Sequence, residues 1–300
     1  MTRLECVIPL PANYRHADVL AFHGRDAQST AEVVQGEHIR KGIVLQGRPA
    51  VVELKLAQAE ARCSLSVDGP AGSATVMVLQ NLARRLLGLH MDVDAFEALH
   101  GGHPQLGALI LAQGGLRVPL AATPFEALTW AVTGQQINVG LASQLRRRLI
   151  LLGGRQHSSG LWCHPDAQGV ARLGEAQLRE ARFSVAKTQT ILNISRLASQ
   201  GQLPLDGWMN MPLAVPEMAA ALLSLKGVGP WTVNYTLLRG FGHADGSLHG
   251  DVAVRNALQR LLGQADKVSA AQTEAWLGQF APWRALVAAH LWASLRFAEG

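Results

Sequence analysis

The chain has 300 residues, enough for one large domain or two ordinary ones, and 48% of them are hydrophobic while only 16% are charged, which excludes an intrinsically disordered chain. The formal net charge of +5 favours a polyanionic partner without proving one. No apolar run approaches the ~20 residues of a membrane span, and the N-terminus shows no cleavage signature. Cys6, Cys63 and Cys163 are odd in number and far apart, so they read as reduced thiols rather than a disulfide framework or a metal site. A cytoplasmic, monomeric protein with no membrane partner is the expectation.

The first third reads as mixed β and α. Leu4–Ile8, Ile39–Gln46, Ala50–Leu56 and Arg62–Val67 are candidate strands, with Gly47-Arg48-Pro49 separating two of them in hairpin fashion. Asp68-Gly69-Pro70 closes the strand region. Ala74–Gly88 then carries Val78, Leu82 and Leu86 at helical spacing. From Leu89 onward the β signals fade into short amphipathic segments: Pro124–Val132, Val139–Leu152, Glu175–Phe183, Val185–Gln200, Pro216–Leu225, Trp231–Phe241, Asp251–Leu262, Gln272–Phe280 and Pro282–Leu295. Thr123-Pro124 is a cap followed by proline at the first helical position. Gly153–Gly160 reads as a loop.

The informative stretch is Leu222–Leu258, LLSLKGVGPWTVNYTLLRGFGHADGSLHGDVAVRNAL. Gly227 and Gly229 straddle one apolar residue and cannot continue a helix cheaply, so they allow a tight hairpin whose backbone approaches another object. The next helix starts at Pro230 or Trp231 and points its free amides into that hairpin, beside Lys226. Exposed amides at a helix N-terminus suit a phosphate, and this arrangement grips nucleic-acid backbone without reading sequence. A glycine-rich connector between two packed helices gives the same short GxG pattern. Some twenty residues on, Asp251 opens the helix Val252–Leu262 after a loop with four glycines. Asp251 is either an ordinary N-cap or an ionised carboxylate placed to stabilise a sugar cation, and the two roles are compatible. Arg146-Arg147-Arg148 reads as a phosphate contact or as a solvated helix face.

On LKGVGPWTVNYTLLRG with HGDVAVRNAL, on TPFEALTWAVTGQQINVGLASQL, on FAPWRALVAAHLW and on ANYRHADVLAFHGRD, four segments in order along nearly the whole chain, the sequence resembles the helix-hairpin-helix DNA glycosylases of the DNA-3-methyladenine glycosylase II type. The resemblance implies an α+β fold: a small antiparallel β-sheet domain with helices at 1–88, then an all-α glycosylase region at 89–300 whose helical subdomains, about 113–230 and 89–112 plus 231–300, enclose the active site. It implies Asp251 as the catalytic aspartate and Trp231, Tyr235 and Trp292 as walls of a base pocket, with Tyr14 and Phe22 reaching in from the small domain. It places Lys226, Gly227, Gly229 and Trp231 on the DNA backbone. Family members insert an apolar side chain into the gap left by the flipped base, whereas the matching turn here offers Gln136 or Ile137.

The implied function is monofunctional excision of N3- or N7-alkylated and related purines from double-stranded DNA. Trp231 stands where bifunctional relatives carry a Schiff-base lysine, which argues against an added lyase step. Without a cysteine after Cys163, no iron–sulfur cluster is expected. No redox or nucleotide cofactor is required. The resemblance does imply a monovalent cation, sodium or potassium, on the carbonyls of Leu223, Leu225 and Val228. A bifunctional glycosylase/lyase for oxidised bases and a non-catalytic damage-binding protein are the competing readings.

Overall fold

A computed structural model describes residues 2–70, 72, 74–210 and 214–296. The chain opens with β1 (Thr2–Pro9), α1 (His16–His23), β2 (Glu32–Gln35), β3 (His38–Leu45), β4 (Arg48–Leu56), β5 (Glu60–Val67) and α2 (Val76–Leu86). The strands form one antiparallel sheet in the order β1-β5-β4-β3-β2. Gln46 and Gly47 both have positive φ, 50° and 74°, the geometry of a two-residue hairpin turn that matches strand twist. β4 therefore starts at Arg48, opposite Leu45, and takes in Pro49, which sequence reading left in the connection. Proline is tolerated there because it sits at the strand start. Alternation puts Ile39, Lys41 and Ile43 on one face, and α2, capped by the Thr75 hydroxyl accepting from Val78 N at 3.3 Å, closes this core with Leu79, Leu82 and Leu86. Sequence reading missed α1 and β2, both too short to show a period. Cys6 and Cys63, 57 positions apart, are direct cross-strand neighbours and free thiols.

The remainder is helical: α3 (Val93–His100), α4 (Gly107–Ala112), α5 (Pro124–Gly134), α6 (Val139–Gly153), α7 (Ala167–Ala171), α8 (Glu175–Glu180), α9 (Val185–Ser199), α10 (Leu205–Asn210), α11 (Val215–Leu223), α12 (Pro230–Thr236), α13 (Val252–Leu261), α14 (Ala270–Gly278) and α15 (Arg284–Arg296). None of the described helices is long and apolar enough to cross a membrane. Two cores are built from them. Phe125, Leu149, Phe183, Ile191, Leu222 and Val233 centre one; Phe96, Leu120, Leu258, Phe280 and Leu286 centre the other.

Two features depart from the expected partition. Leu116, Val118 and Leu120 pack into the core of the C-terminal helices rather than with the 113–230 unit. The reason is Arg85, whose guanidinium donates to the carbonyls of Ala122 (3.2 Å), Ala121 (2.9 Å) and Gly240 (2.7 Å) and so pins this extended segment between the small domain and the end of α12. The expected loop after α6 instead forms a short hairpin, β6 (Arg155–Gln156) with β7 (Trp162–Cys163), that lies back on the N-terminal sheet. Trp162 N donates to Thr30 O at 3.1 Å and His164 N to Gly42 O at 3.1 Å. Only glycine permits this approach, since a Cβ on Gly42 would stand 2.0 Å from the Trp162 carbonyl oxygen.

Between the sheet and the helices lies a cluster of buried charge. Lys41 from β3 contacts Glu32 from β2 and donates to Glu126 of α5 at 2.7 Å, and Arg146 of α6 donates to Glu126 at 2.9 Å and lies 3.3 Å from Glu32. Burial alone would raise the Glu126 carboxyl, but Lys41, His164 and Arg146 outweigh it and hold its pKa down to about 2. His164, fully enclosed beside the cluster, is pushed down to about 4 by burial and stays neutral. Arg146 is therefore neither a phosphate contact nor a solvated side chain. Its neighbours are also engaged within the protein, Arg147 with the Thr30 hydroxyl at 3.2 Å and Arg148 with the Ala181 carbonyl at 3.1 Å.

Candidate active site

Asp251 is the N-cap of α13. Its Oδ1 accepts from Val254 N at 3.0 Å and from Trp292 Nε1 at 3.2 Å, while its Oδ2 accepts from Trp231 Nε1 at 2.8 Å. Capping thus leaves this carboxylate lining the cleft, and three N–H donors hold its orientation, with no ion pair to a basic side chain among the described residues. Each indole comes from a rigid element. Trp231 lies in the first turn of α12, which Pro230 starts with its fixed φ, and Trp292 lies in α15.

Tyr235 follows Trp231 by one helical turn, and their rings stack at 5.2 Å and 30°. Tyr235 and Trp292 stand 6.3 Å apart at 55°. With Asp251 these three rings line a cleft of about 1230 Å³ between the two helical cores. Phe22, Arg25, Trp130, Arg117 and Arg239 line the same cleft. Arg239 sits on a π-helical turn, Leu237–Phe241, that extends α12, and donates to Pro119 O at 2.7 Å.

Tyr14 does not reach the cleft. It is 9% exposed inside the core of the small domain, where its hydroxyl donates to Leu87 O at 2.8 Å. A tyrosine needs a partner for its hydroxyl when buried, and the end of α2 supplies one. Phe22 does line the cleft, but guanidinium groups cover its ring: Arg25 Cζ is 3.9 Å and Arg239 Cζ 4.6 Å from the centroid. Arg25, Trp130 and Arg239 were not singled out from sequence; Trp130, on the almost wholly buried α5 a turn before the predicted wedge turn, was the one within reach of a local signal.

The hairpin lies at the mouth of the cleft. Lys226 is exposed, Gly227 has φ +86°, and Gly229 caps α12 with open space around it. The turn between α5 and α6 is fastened to it by Gln135, whose Nε2 donates to Gly227 O at 2.9 Å and to the Thr232 hydroxyl at 2.8 Å. Beside it Gln136 is exposed with a left-handed φ of +57°, while Ile137 packs partly against the adjoining core. The carbonyls of Leu223 and Leu225 lie at the C-terminal end of α11, where the helix dipole is negative, and Leu225 O accepts from Val228 N at 3.0 Å.

The two hairpin glycines differ in what they tolerate. A Cβ on Gly227 would come 2.1 Å from Thr190 Oγ1, which itself donates to Lys226 O at 3.1 Å, whereas nothing lies within 4 Å of one on Gly229. Gly227→Ala is expected to cost about 1–3 kcal/mol through φ strain and this clash. Gly229→Ala should stay within about 1 kcal/mol. Urea unfolding of both variants checks this, and equal midpoints would refute it.

Comparison with known proteins agrees with this architecture. Residues 7–123 match the AlkA N-terminal domain family. The DNA-3-methyladenine glycosylase 2 of Escherichia coli is 29% identical over 189 residues, 62% of this chain and 63% of the relative. Residues 7–123 thus carry that family's domain, and the chain as a whole is similar to DNA-3-methyladenine glycosylases of the helix-hairpin-helix type. A probable bifunctional transcriptional activator/DNA repair enzyme AlkA of Mycobacterium tuberculosis is 27% identical over 292 residues, 96% of this chain but 56% of the relative. The DNA-3-methyladenine glycosylase of Bacillus subtilis is 32% identical over 154 residues, half of each chain. The matches thus span from half to somewhat under two thirds of these relatives. Among solved structures, a 3-methyladenine DNA-glycosylase from Archaeoglobus fulgidus superposes with TM-score 0.80 at 22% identity over 97% of this chain and 98% of the other, which establishes the shared fold.

Proposed function

We propose that the protein removes alkylated purines from double-stranded DNA by flipping the base and hydrolysing its N-glycosidic bond, acting as a cytoplasmic monomer that initiates base excision repair. The observation that carries this reading is the Asp251 carboxylate, held by two indole N–H groups at an aromatic cleft beside a hairpin built to meet a phosphate backbone. Lys226 and the amides around Gly227 and Gly229 anchor the backbone. Gln136, exposed and aimed by a turn that Gln135 locks to the hairpin, enters the stack as the target nucleotide leaves it; Ile137 stays with the core. Extrusion costs a few kcal/mol, least where damage has weakened pairing. Trp231, Tyr235 and Trp292 stack the flipped base. As the bond lengthens, the sugar turns positive and Asp251 stabilises it, then orients water for attack. At 4 Å and an effective dielectric near 20 the attraction is about 4 kcal/mol, roughly a thousandfold in rate.

The carbonyls of Leu223, at the C-terminal end of α11, and of Leu225 and Val228 just after it are the neutral oxygens that would hold a singly charged cation. Such an ion would add positive charge to the hairpin. Among the described residues lining the cleft there is no lysine, and by the resemblance Trp231 stands where a Schiff-base lysine would be expected. This favours a monofunctional hydrolase over a lyase.

The test is release of free base, followed by chromatography, from duplexes that each carry one defined lesion. Alkylpurine release leaving an abasic site is the expected result. Tight binding without release would make the protein a damage sensor, and a borohydride-trapped covalent adduct would make it a lyase.

A further inference from the structure

The aromatic lining of the cleft runs between two opposite charge environments, with Trp292 bordering both. Trp231, Tyr235 and Trp292 surround the Asp251 carboxylate. Phe22 and Trp130 instead surround a guanidinium. Arg25 Cζ lies 3.9 Å from the Phe22 centroid and 5.4 Å from that of Trp130, and Arg239 Cζ lies 4.6 Å from Phe22 and 5.9 Å from Trp292. A guanidinium is a flat, delocalised cation, and so is a ring-alkylated purine. The Phe22 ring, which would attract such a base, is already serving resident cations.

Other charges near the cleft leave the Phe22 side positive. Arg117 is engaged with Asn13 and Asp94, Asp18 is held by Arg15, Glu32 and Glu126 are balanced by Lys41 and Arg146, and the Asp26 carboxylate, which accepts from the backbone amides of Gln28, Thr30 and Ala31, is one negative charge against the two guanidinium groups of Arg25 and Arg239. A cationic base entering the cleft gains from Asp251 and loses to Arg25 and Arg239. A neutral base with a ring carbonyl suffers no such repulsion and can accept a hydrogen bond from a guanidinium.

We propose that Arg25 is a specificity-determining residue that occupies the cation seat on Phe22 and Trp130, and so handicaps positively charged lesions relative to neutral ones such as deaminated adenine. The proposal rests on the glycosylase reading above and names the part of the lesion range that the pocket favours. Arg25 suits the role because it is exposed on the loop after α1, where its Nε donates to Phe22 O at 2.8 Å. Its removal leaves the cores intact. Arg239, fixed to Pro119, belongs to the packing of the π turn.

The experiment compares single-turnover release from two duplexes, one with a single N7-methylguanine and one with a single hypoxanthine, for the unaltered protein, Arg25→Ala and Arg25→Lys. The ratio of methylguanine to hypoxanthine release should rise about tenfold in Arg25→Ala, within the few-fold to thirtyfold range that a lost cation–π competitor spans. It should stay within about twofold in Arg25→Lys, which keeps the charge. An unchanged ratio in Arg25→Ala, or a parallel fall of both rates as for a lost phosphate contact, would overturn the proposal. Failure of the unaltered protein to release either base would instead overturn the glycosylase reading, and the proposal with it.

Discussion

Asp251→Asn is expected to bind damaged duplex as the unaltered protein does and to release base at least about a hundredfold more slowly, the scale set by losing one unit charge beside a sugar cation. The substitution removes the charge and keeps the helix cap. Asparagine caps a helix about as well as aspartate, so α13 should keep its start, with the side-chain oxygen still available to Val254 N. The charge is gone, and so is one acceptor. In the native site Trp231 and Trp292 donate to different carboxylate oxygens, so an amide nitrogen would face one of the two indole N–H groups and meet a donor with a donor. Single-turnover kinetics at saturating enzyme and a parallel binding titration read the two effects apart. Release within tenfold of the unaltered protein would remove Asp251 from the chemistry.

How much of this site could be seen in the sequence follows from how local each signal is. The hairpin, the cap at Asp251 and the Trp231–Tyr235 pair lie within one continuous stretch, and their geometry follows from glycine φ, proline placement and helical spacing. Tyr14 had no such local constraint. Its resemblance to a pocket residue was positional, and the choice between facing the cleft and facing the sheet core was made by the Leu87 carbonyl, 73 positions away. Arg25 and Arg239 were likewise invisible, because a cation–π contact between a loop after α1 and a π turn after α12 depends on packing between domains. The arginine run at 146–148 was read from composition alone, which cannot distinguish a surface charge from one that is sequestered by carboxylates. The sequence does carry one unused clue: strand alternation sets Lys41 on the same face as Ile39 and Ile43, and a buried lysine requires a partner.

That partner set makes the second large prediction. Glu126→Ala should destabilise the protein by about 3–5 kcal/mol, the range for removing one member of a buried ion cluster, out of the ~5–15 kcal/mol typical of a native fold. The carboxylate accepts from Lys41 and Arg146 through Oε1 and from Ala122 N through Oε2 at 3.0 Å, so its removal leaves two buried cations with only Glu32 and orphans a backbone amide. Because Glu126 ties α5 to β3 and α6, the loss should loosen the seating of the small domain on the helices, next to Phe22 and Trp130. The pH dependence identifies the mechanism. Glu126 has a folded pKa of about 2 against an ordinary value of 4.5, so its stabilisation is fully present above 4.5 and is lost as pH falls towards 2. Urea unfolding at pH 7 should show the full difference between the two proteins, and between pH 4.5 and pH 2 the curves should converge. A constant gap down to pH 2 would mean that Glu126 contributes volume rather than charge, and a gap below about 1 kcal/mol at pH 7 would mean that the cluster does not hold the domains together.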